Sequence, residues 1–454
     1  MRKWLMRIFP LVLLSVPALW GQETLVPLAD VVHRVVERDP GVRAHQAEQD
    51  AARSEARRTE TLRMPKLYVS TDVGAGKLVN DMANVLLTGL SPASVNDPKT
   101  RARLADLSGD RPFVVPGARL ETNLFDGGRT GAAIRTAWLS EGKAEVARSR
   151  AREDEAYAAA SDFLDLAQAR VFSRYLEDHV RVAELTSAAL ADQARLGRIT
   201  EARALVGQAQ LQAAQASLEN NRDDVRLASG LLRERAGLPA EAAFDTRPFE
   251  AFLERSSFSL LPDELNLDSN AGVQIASFDA RIQEQQLRAA KAHRLPEFKF
   301  VAEYGFAFSN LLFTFRPGYN VGVRASFPLF TSREVERNIR AEQQHLSAAA
   351  LREDKTRAVL REEYTRLQAE NRKIGRQLDA ARAQLAQVEE LYRVTRLKYD
   401  QGAGAPSDLL EAAELLLNSR QRCLDLTRSS LLTRWAAFRL QGKLLAELQG
   451  GAQP

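Results

Sequence analysis

The feature that most constrains the fold of this chain is an internal repeat, found when the sequence is compared with itself. The triplet Leu124-Phe125-Asp126 returns as Leu329-Phe330-Thr331, and Gly197 returns as Gly402, both 205 residues later. Repetition at a fixed offset is typical of a duplicated supersecondary unit. We therefore predict two structurally related halves.

Nearer the start of each half the offset is larger, because Pro65 pairs with Pro296 at 231 residues. The first half thus holds 26 more residues than the second, and residues 81–111, rich in Ser, Pro, Asn, Asp and Gly, are predicted to form a long loop. The predicted division of the chain is a signal peptide at 1–22, a first repeat at 23–237, a connecting segment at 238–268, a second repeat at 269–445 and a tail at 446–454.

Each half is predicted to contain a helix, a strand pair, a very long helix, a turn and a further helix. The predicted helices are 29–64, 129–196 and 200–236 in the first half, and 270–295, 333–401 and 407–443 in the second. The strand pairs fall within 66–125 and 297–330. A helix of roughly 67 residues extends about 100 Å, which no ordinary globular domain needs. The composition agrees, since 45% hydrophobic but only 7% aromatic residues with 27% charge suits long amphipathic helices.

The second long helix carries a sustained heptad. Its heptad positions alternate steps of four and three residues, and all but Asn371 are apolar or aromatic: Leu360, Tyr364, Leu367, Asn371, Ile374, Leu378, Ala381, Leu385, Val388 and Tyr392. Such a helix supercoils against a neighbour, which we predict to be its own successor, because only a short turn after Gly402 separates the two. A solvent-exposed coiled-coil rod would show the same pattern, so the helices alone assign no function.

The strands are more informative, because each has one apolar and one polar face. In the second half the apolar positions are Phe298, Phe300, Ala302, Tyr304, Phe306 and Phe308 on one strand and Tyr319, Val321, Val323, Ala325, Phe327 and Leu329 on the other. Strict alternation predicts β-structure, and runs of this length suffice for a tilted membrane strand of ~9–11 residues. A sandwich core alternates in the same way. However, four strands at the ends of such long helices cannot be covered as a globular layer would cover them, so the apolar face is predicted to meet lipid or other subunits.

The first residues have the layout of a secretory signal peptide. Arg2, Lys3 and Arg7 precede a short apolar run from Ile8 to Val16. Removing these three cations lowers the formal charge from +4 to +1, so the basic balance does not indicate a nucleic-acid partner. No later uncharged apolar run reaches the ~18 residues of a membrane helix. We expect an exported protein that is either soluble outside the cytoplasm or inserted in a membrane as β-structure.

The sequence argues against an enzyme, a cofactor or a metal site. There is one cysteine, and the five histidines are scattered without the spacing that places two ligands on one helix face. No Ser/His/Asp set, phosphate-binding loop or dinucleotide fingerprint is present. No catalytic residue, cofactor or metal ligand is therefore predicted.

From about Leu25 to Leu445 the chain resembles the TolC-like outer membrane efflux proteins. The resemblance is carried by Asp39-Pro40, by Pro65 and Pro296 where helices give way to strands, by Leu124-Phe125-Asp126-Gly127-Gly128 where a strand enters a helix, and by the stretch Tyr399–Ala412. It implies a mainly helical fold with a small membrane β part: a homotrimer whose four strands per chain form a twelve-stranded barrel, and a periplasmic tunnel of coiled-coil helices. It also implies a passive exit duct that works with a periplasmic adaptor and an inner-membrane transporter.

The resemblance also suggests functional residues at the periplasmic helix turns. Gly197 and Gly402 match the turn glycines, and Asp408 and Glu411 match acidic residues that line the tunnel mouth. Three copies of each would form two anionic rings that attract cations. The alternative is that both carboxylates only complement the N-terminal end of a helix dipole.

The resemblance also suggests a gate or latch at the periplasmic helix turns. Tyr399 matches a gate residue three positions before the turn glycine. Two positions depart from the family, since Arg203 stands where an acidic latch partner is common and Gly404 stands where an arginine is common. We hypothesise that Arg203 faces Asp408 or Glu411 of a neighbouring helix pair and holds the mouth closed. A surface ion pair worth about 0–1 kcal/mol is the alternative.

The sequence is compatible with three functions. The first is an outer membrane duct of an efflux or secretion system, and the second is a duct of the same fold specialised for metal-ion efflux or type I protein secretion. The third, of a different class, is a periplasmic coiled-coil scaffold or adaptor without a pore. The sequence names neither the substrate nor the adaptor and pump.

Overall fold

The structure is a computed structural model that describes residues 25–76, 111–254, 260–262, 265–307 and 316–450. The described part leaves out several segments named above: the predicted signal peptide, residues 81–110 of the predicted loop, Phe308 and the last four residues. The helices are α1 (Leu28–Arg38), α2 (Pro40–Glu60), α3 (Arg129–Arg195), α4 (Glu201–Ala236), α5 (Arg247–Glu254), α6 (Ala271–Ala292), α7 (Glu334–Asp400), α8 (Pro406–Leu440) and α9 (Leu444–Gly450). The strands are β1 (Leu25–Val26), β2 (Lys66–Gly76), β3 (Arg111–Phe125), β4 (Ala243–Phe244), β5 (Glu297–Ala307) and β6 (Arg316–Ser326).

The chain divides into two compact units. The sheet unit comprises Ala44–Arg150 and Leu267–Leu360, and the helical unit comprises Met1–Arg43, Ala151–Asn266 and Arg361–Pro454. Helices α3 and α7, each 67 residues long, contribute residues to both units. Among the helices of the described residues, none combines the length and the apolar character that a membrane span requires.

The sheet unit contains four antiparallel strands in the order β2-β3-β5-β6. The central pair joins the two halves of the sequence, since Leu120 of β3 lies opposite Ala302 of β5. A register shift between Asn123 and Phe125 forms a bulge, after which Phe125 lies opposite Phe298. Their rings are 6.1 Å apart, so the bulge adds Phe125 to the row of aromatic residues on β5.

The core of the helical unit is assembled from segments far apart in sequence. Helix α1 buries Val31, Val32, Val35 and Val36, a spacing of one and three that keeps them on one stripe of the helix. They pack in one cluster with Ala and Phe residues of α3, with Trp435 of α8 and with Leu444 and Leu448 of α9. The parallel pair β1–β4 brings Phe244 into the same cluster, with 1% of its surface exposed.

Two predicted boundaries were wrong. The helix predicted at 29–64 is two helices, because Asp39 before Pro40 leaves the helical conformation (φ −58°, ψ 126°). Its Oδ1 accepts a 2.8 Å hydrogen bond from the Val42 N–H and so caps the second helix. The last helix ends at Leu440 instead of residue 443, and Gly442 (φ 64°) makes the turn into α9. Part of the predicted tail, residues 446–450, is therefore helical and belongs to the folded unit.

Candidate functional site

The apolar face of the sheet is uncovered in the single chain. Cross-strand neighbours place Val69 beside Ala118, and Tyr304 beside both Ala118 and Tyr319, all on one face. Val69 is 81% and Tyr319 82% exposed, although both belong to residue types that proteins normally bury. Exposed apolar residues on the same face include Leu67, Val69, Phe298, Tyr304, Tyr319, Val321 and Val323. A contiguous apolar face of this kind marks a contact with a partner or with lipid.

The opposite face carries paired charges. Arg119 lies opposite Glu303 and its Nε is 2.7 Å from the Glu303 carboxylate, while Lys299 Nζ lies 3.0 Å from Glu297. Arg129, in the first turn of α3, donates to Glu297 at 2.9 Å. The two faces therefore differ in chemistry, since one is mainly apolar and the other carries the paired charges.

Strands β2 and β6 are the edges of this sheet. Each has one neighbour among the described residues, so one side of its backbone hydrogen-bonding groups has no strand partner. Because the four strands alternate in direction, β2 and β6 run antiparallel to each other. An edge strand of this length is a template for pairing with another chain.

At the other candidate site, both long helices end in the same motif. Gly197 and Gly402 have φ of 67° and 73°, a region that glycine enters without strain. After α3, the Arg198 N–H bonds to the Gln193 carbonyl at 2.9 Å; after α7, the Ala403 N–H bonds to the Lys398 carbonyl at 2.9 Å. These five-residue bonds are the mark of a Schellman cap. The two predicted turn glycines thus close equivalent helix ends.

Gly404 has a role that sequence comparison missed. Its N–H bonds to the Lys398 carbonyl at 3.0 Å, and a Cβ atom at this position would lie 3.0 Å from the Tyr399 nitrogen. The turn therefore passes too close to the end of α7 to admit a side chain without a shift. The arginine that is common at this position in the family does not fit this turn as it stands.

Asp408 and Glu411 lie at the start of α8, and both are exposed. Their spacing of three residues places them on one face of the helix. Asp408 accepts a 3.3 Å hydrogen bond from Ser407 Oγ, and within the described chain neither carboxylate forms a salt bridge. The structure thus brings the two predicted acidic residues together and leaves both facing solvent.

Tyr399 and Arg203 are not brought together. Tyr399 is half-buried and packs with Tyr392 of α7 against Leu409 and Ala413 of α8, which is the predicted contact between α7 and its successor. Arg203 is exposed in the first turn of α4, with no carboxylate in salt-bridge range among the described residues. A latch through Arg203 therefore requires a second copy of the chain and stays a prediction.

A cavity of about 440 Å³, lined by both charged and apolar side chains, lies near these turns and was not predicted. Arg420 lies over the Tyr175 ring at 4.8 Å and 3.7 Å from Asp178. His179 also lines the cavity; burial lowers its pKa, Glu414 opposes that shift, and its Nδ1 atom has no hydrogen-bond partner. Tyr175 and His179 are four residues apart in the sequence, and this spacing could have predicted that they share one face of α3. The spacing does not predict which residues of α8, such as Arg420, line the same cavity.

Among the residues that the structure describes, no group of three His, Cys, Asp or Glu side chains is arranged as a metal site. Cys423 is buried, and burial raises the pKa of its thiol.

Comparison with known proteins agrees with the fold and the sheet. Residues 264–440 match the family described as outer membrane efflux protein. The family resemblance seen in the sequence is thereby confirmed. No curated protein sequence matches the chain.

Solved structures of this kind cover nearly the whole chain. VceC, an outer membrane protein of Vibrio cholerae, is 18% identical, with a TM-score of 0.69 over 93% of this chain and 96% of its own. CusC, whose structures concern transmembrane channel formation, is 15% identical, with a TM-score of 0.73 over 91% of both chains. The CmeC outer membrane channel of Campylobacter jejuni is 15% identical, with a TM-score of 0.68 over 92% of this chain and 86% of its own. At these identities the likeness establishes the fold, a mainly helical TolC-like architecture with few strands.

Proposed function

We propose that this protein is the outer membrane exit duct of a tripartite efflux or secretion system. It conducts substrates passively from the periplasm to the outside and is not an enzyme. The observation that carries the proposal is the four-stranded sheet with one exposed apolar face, one charged face and two unpaired edges. The match of residues 264–440 to the outer membrane efflux protein family supports the same function.

The sheet chemistry favours a homotrimer. An open edge cannot persist in hydrocarbon, because its N–H and C=O groups would lack partners, and single-chain barrels begin at about eight strands. Three copies supply twelve strands. Since β2 and β6 run antiparallel, the β6 edge of one protomer can pair with the β2 edge of the next and keep every neighbour antiparallel. The apolar face then contacts lipid and the charged face lines the lumen.

The duplicated sequence supports the same assembly. The two halves contribute equivalent strand pairs and long helices, and both long helices end in the same glycine cap at Gly197 and Gly402. Two repeats in each of three chains give a ring of six similar units. Such a ring encloses a tunnel in which α3, α4, α7 and α8 form the wall.

The helix turns form the proposed entrance from the periplasm. Asp408 and Glu411 are exposed on one face of α8, and three copies of each would give two stacked rings of negative charge. Arg203 has no partner within its own described chain, so it is available to a carboxylate of a neighbouring protomer. Tyr399 supports the turn by packing against Leu409. The partners of such a duct are a periplasmic adaptor and an inner-membrane transporter.

The test is single-channel conductance of the detergent-purified mature protein in a planar bilayer. We expect a cation-selective conductance whose selectivity falls in the double variant Asp408→Ala, Glu411→Ala. Reversing the charge at Arg203 with Arg203→Glu should raise the conductance, because the proposed latch is lost.

The matched control is Glu370→Ala, Asp379→Ala. It removes the same charge from exposed positions of α7 and should leave selectivity as in the native protein. Equal selectivity in both double variants would refute the acidic entrance. Absence of any conductance, together with full solubility without detergent, would refute the duct and favour a periplasmic scaffold.

A further inference from the structure

A basic pocket of about 580 Å³ lies in the sheet unit where helices join strands, and the duct does not account for it. It is formed by the last turn of α6, the segment that leads into β5, the β3–α3 turn and the start of α7. Gly127 (φ 68°) makes that turn, and a Cβ atom there would lie 2.9 Å from the Ala292 carbonyl oxygen. The turn is therefore held directly against the end of α6, which fixes one wall of the pocket.

The pocket is strongly cationic. Arg288, Lys291, Arg294 and Arg340 line it, and Glu336 is the one acidic residue among the lining side chains described. Arg288 is neutralised by Glu284 at 2.6 Å. The other three cations have no carboxylate in salt-bridge range in the described parts of the chain. Three unpaired cations against one carboxylate leave a net positive charge that selects an anion.

Exposed apolar side chains lie at the same end of the sheet as the pocket. Leu295 lines it and is itself 46% exposed. The segments that leave the sheet at this end expose further large apolar side chains, with Leu329 at 88% and Phe330 at 87%. A cationic pocket next to exposed apolar side chains has the two chemistries of a phospholipid, a charged head and a hydrocarbon tail.

We infer that this pocket binds the phosphate headgroup of an anionic phospholipid in the periplasmic leaflet, through Lys291, Arg294 and Arg340. The inference rests on the proposed function, because it takes the strands as the membrane part of the protein. The bound lipid would fix the depth of the sheet in the membrane by holding its helix-proximal end at the level of the headgroups.

The test is titration of detergent-purified protein with phosphatidylglycerol, with phosphatidylcholine of the same acyl chains and with inorganic phosphate, followed by native mass spectrometry. Each cation near an anionic lipid contributes about fivefold in affinity, so Lys291→Gln, Arg294→Gln, Arg340→Gln should weaken phosphatidylglycerol binding by about a hundredfold. If the triple variant does not fold, each single variant should show about a fivefold loss.

The control is Arg361→Gln, Lys373→Gln, Arg376→Gln, which removes the same charge from exposed positions elsewhere on α7. It should bind phosphatidylglycerol as the native protein does. Equal loss in both triple variants, equal binding of phosphatidylcholine, or competition by inorganic phosphate at comparable concentration would overturn the lipid site.

Conductance measured on the same preparations separates this inference from the proposed function. A conducting protein that does not retain phosphatidylglycerol refutes the lipid site alone. A protein that binds phosphatidylglycerol through these cations but never conducts upholds the site and refutes the duct.

Discussion

Placing an arginine at Val321 tests whether the apolar face of the sheet contacts lipid. Val321 is at the middle of β6, opposite Ala302, and 62% of its surface is exposed in the single chain. An arginine on the lipid face at the bilayer midplane costs about 2–4 kcal/mol. Three copies in the proposed trimer would lose about 6–12 kcal/mol, which is comparable to the whole stability of many proteins.

The matched control is the neighbouring residue, Asn320, which lies opposite Glu303 on the charged face. Asn320→Arg places the same side chain one residue away and should change stability by no more than about 1 kcal/mol. The assay is unfolding of the trimer in lipid vesicles by urea, together with the yield of oligomer extracted from outer membranes. We expect Val321→Arg to abolish or sharply reduce the oligomer and Asn320→Arg to retain it. If both variants unfold at the same urea concentration, the face does not contact lipid and the assignment of the two faces is wrong.

Three further predictions concern the helical unit, each measured by unfolding in detergent. Phe244→Ala should lower the free energy of unfolding by about 3–5 kcal/mol, because Phe244 is 1% exposed and packs edge-on against Phe163, with 6.2 Å between the ring centroids. A loss below about 1 kcal/mol would contradict the place of Phe244 in the core. Glu153→Leu should lower the free energy of unfolding by about 1–3 kcal/mol, since the carboxylate accepts a hydrogen bond from the Leu444 N–H at 3.0 Å. Glu153→Gln keeps an acceptor and should lower it less. Equal losses in the two variants would argue against the hydrogen bond. Burial lowers the pKa of His179, so the unfolded chain binds a proton at this residue more readily than the folded chain does. The free energy of unfolding should therefore fall as the pH drops below the ordinary pKa of 6.5. His179→Gln should remove that part of the pH dependence, and an unchanged pH profile would refute the role of His179.

Much of the secondary structure could be predicted because it depends on local signals. The long helices α3 and α7 each end one residue before the predicted 196 and 401, since a glycine that adopts positive φ stops a helix. The two faces of β5 and β6 follow from strict alternation, which in a strand fixes the side to which each residue points. The heptad on α7 likewise predicted its contact with α8.

Other features depend on contacts between distant segments, which have no local signature. The order β2-β3-β5-β6 joins strands from different halves of the chain, and alternation gives the faces of a strand but not its neighbours. The burial of α9 and the cavity beside His179 depend on helices more than 100 residues apart.

The sequence by itself therefore determined the duplicated plan, the long helices with their glycine ends, the alternating strands and the acidic pair Asp408 and Glu411. Those features need only the chemistry of neighbouring residues along one helix or strand. The tertiary structure alone decided that Arg203 has no partner in its own described chain and that a side chain at Gly404 would require the turn to shift. It also placed Lys291, Arg294 and Arg340 around one pocket. The reason is physical: charge pairing, close approach and cavity formation depend on distances through space, which the folded backbone sets after the local structure has formed.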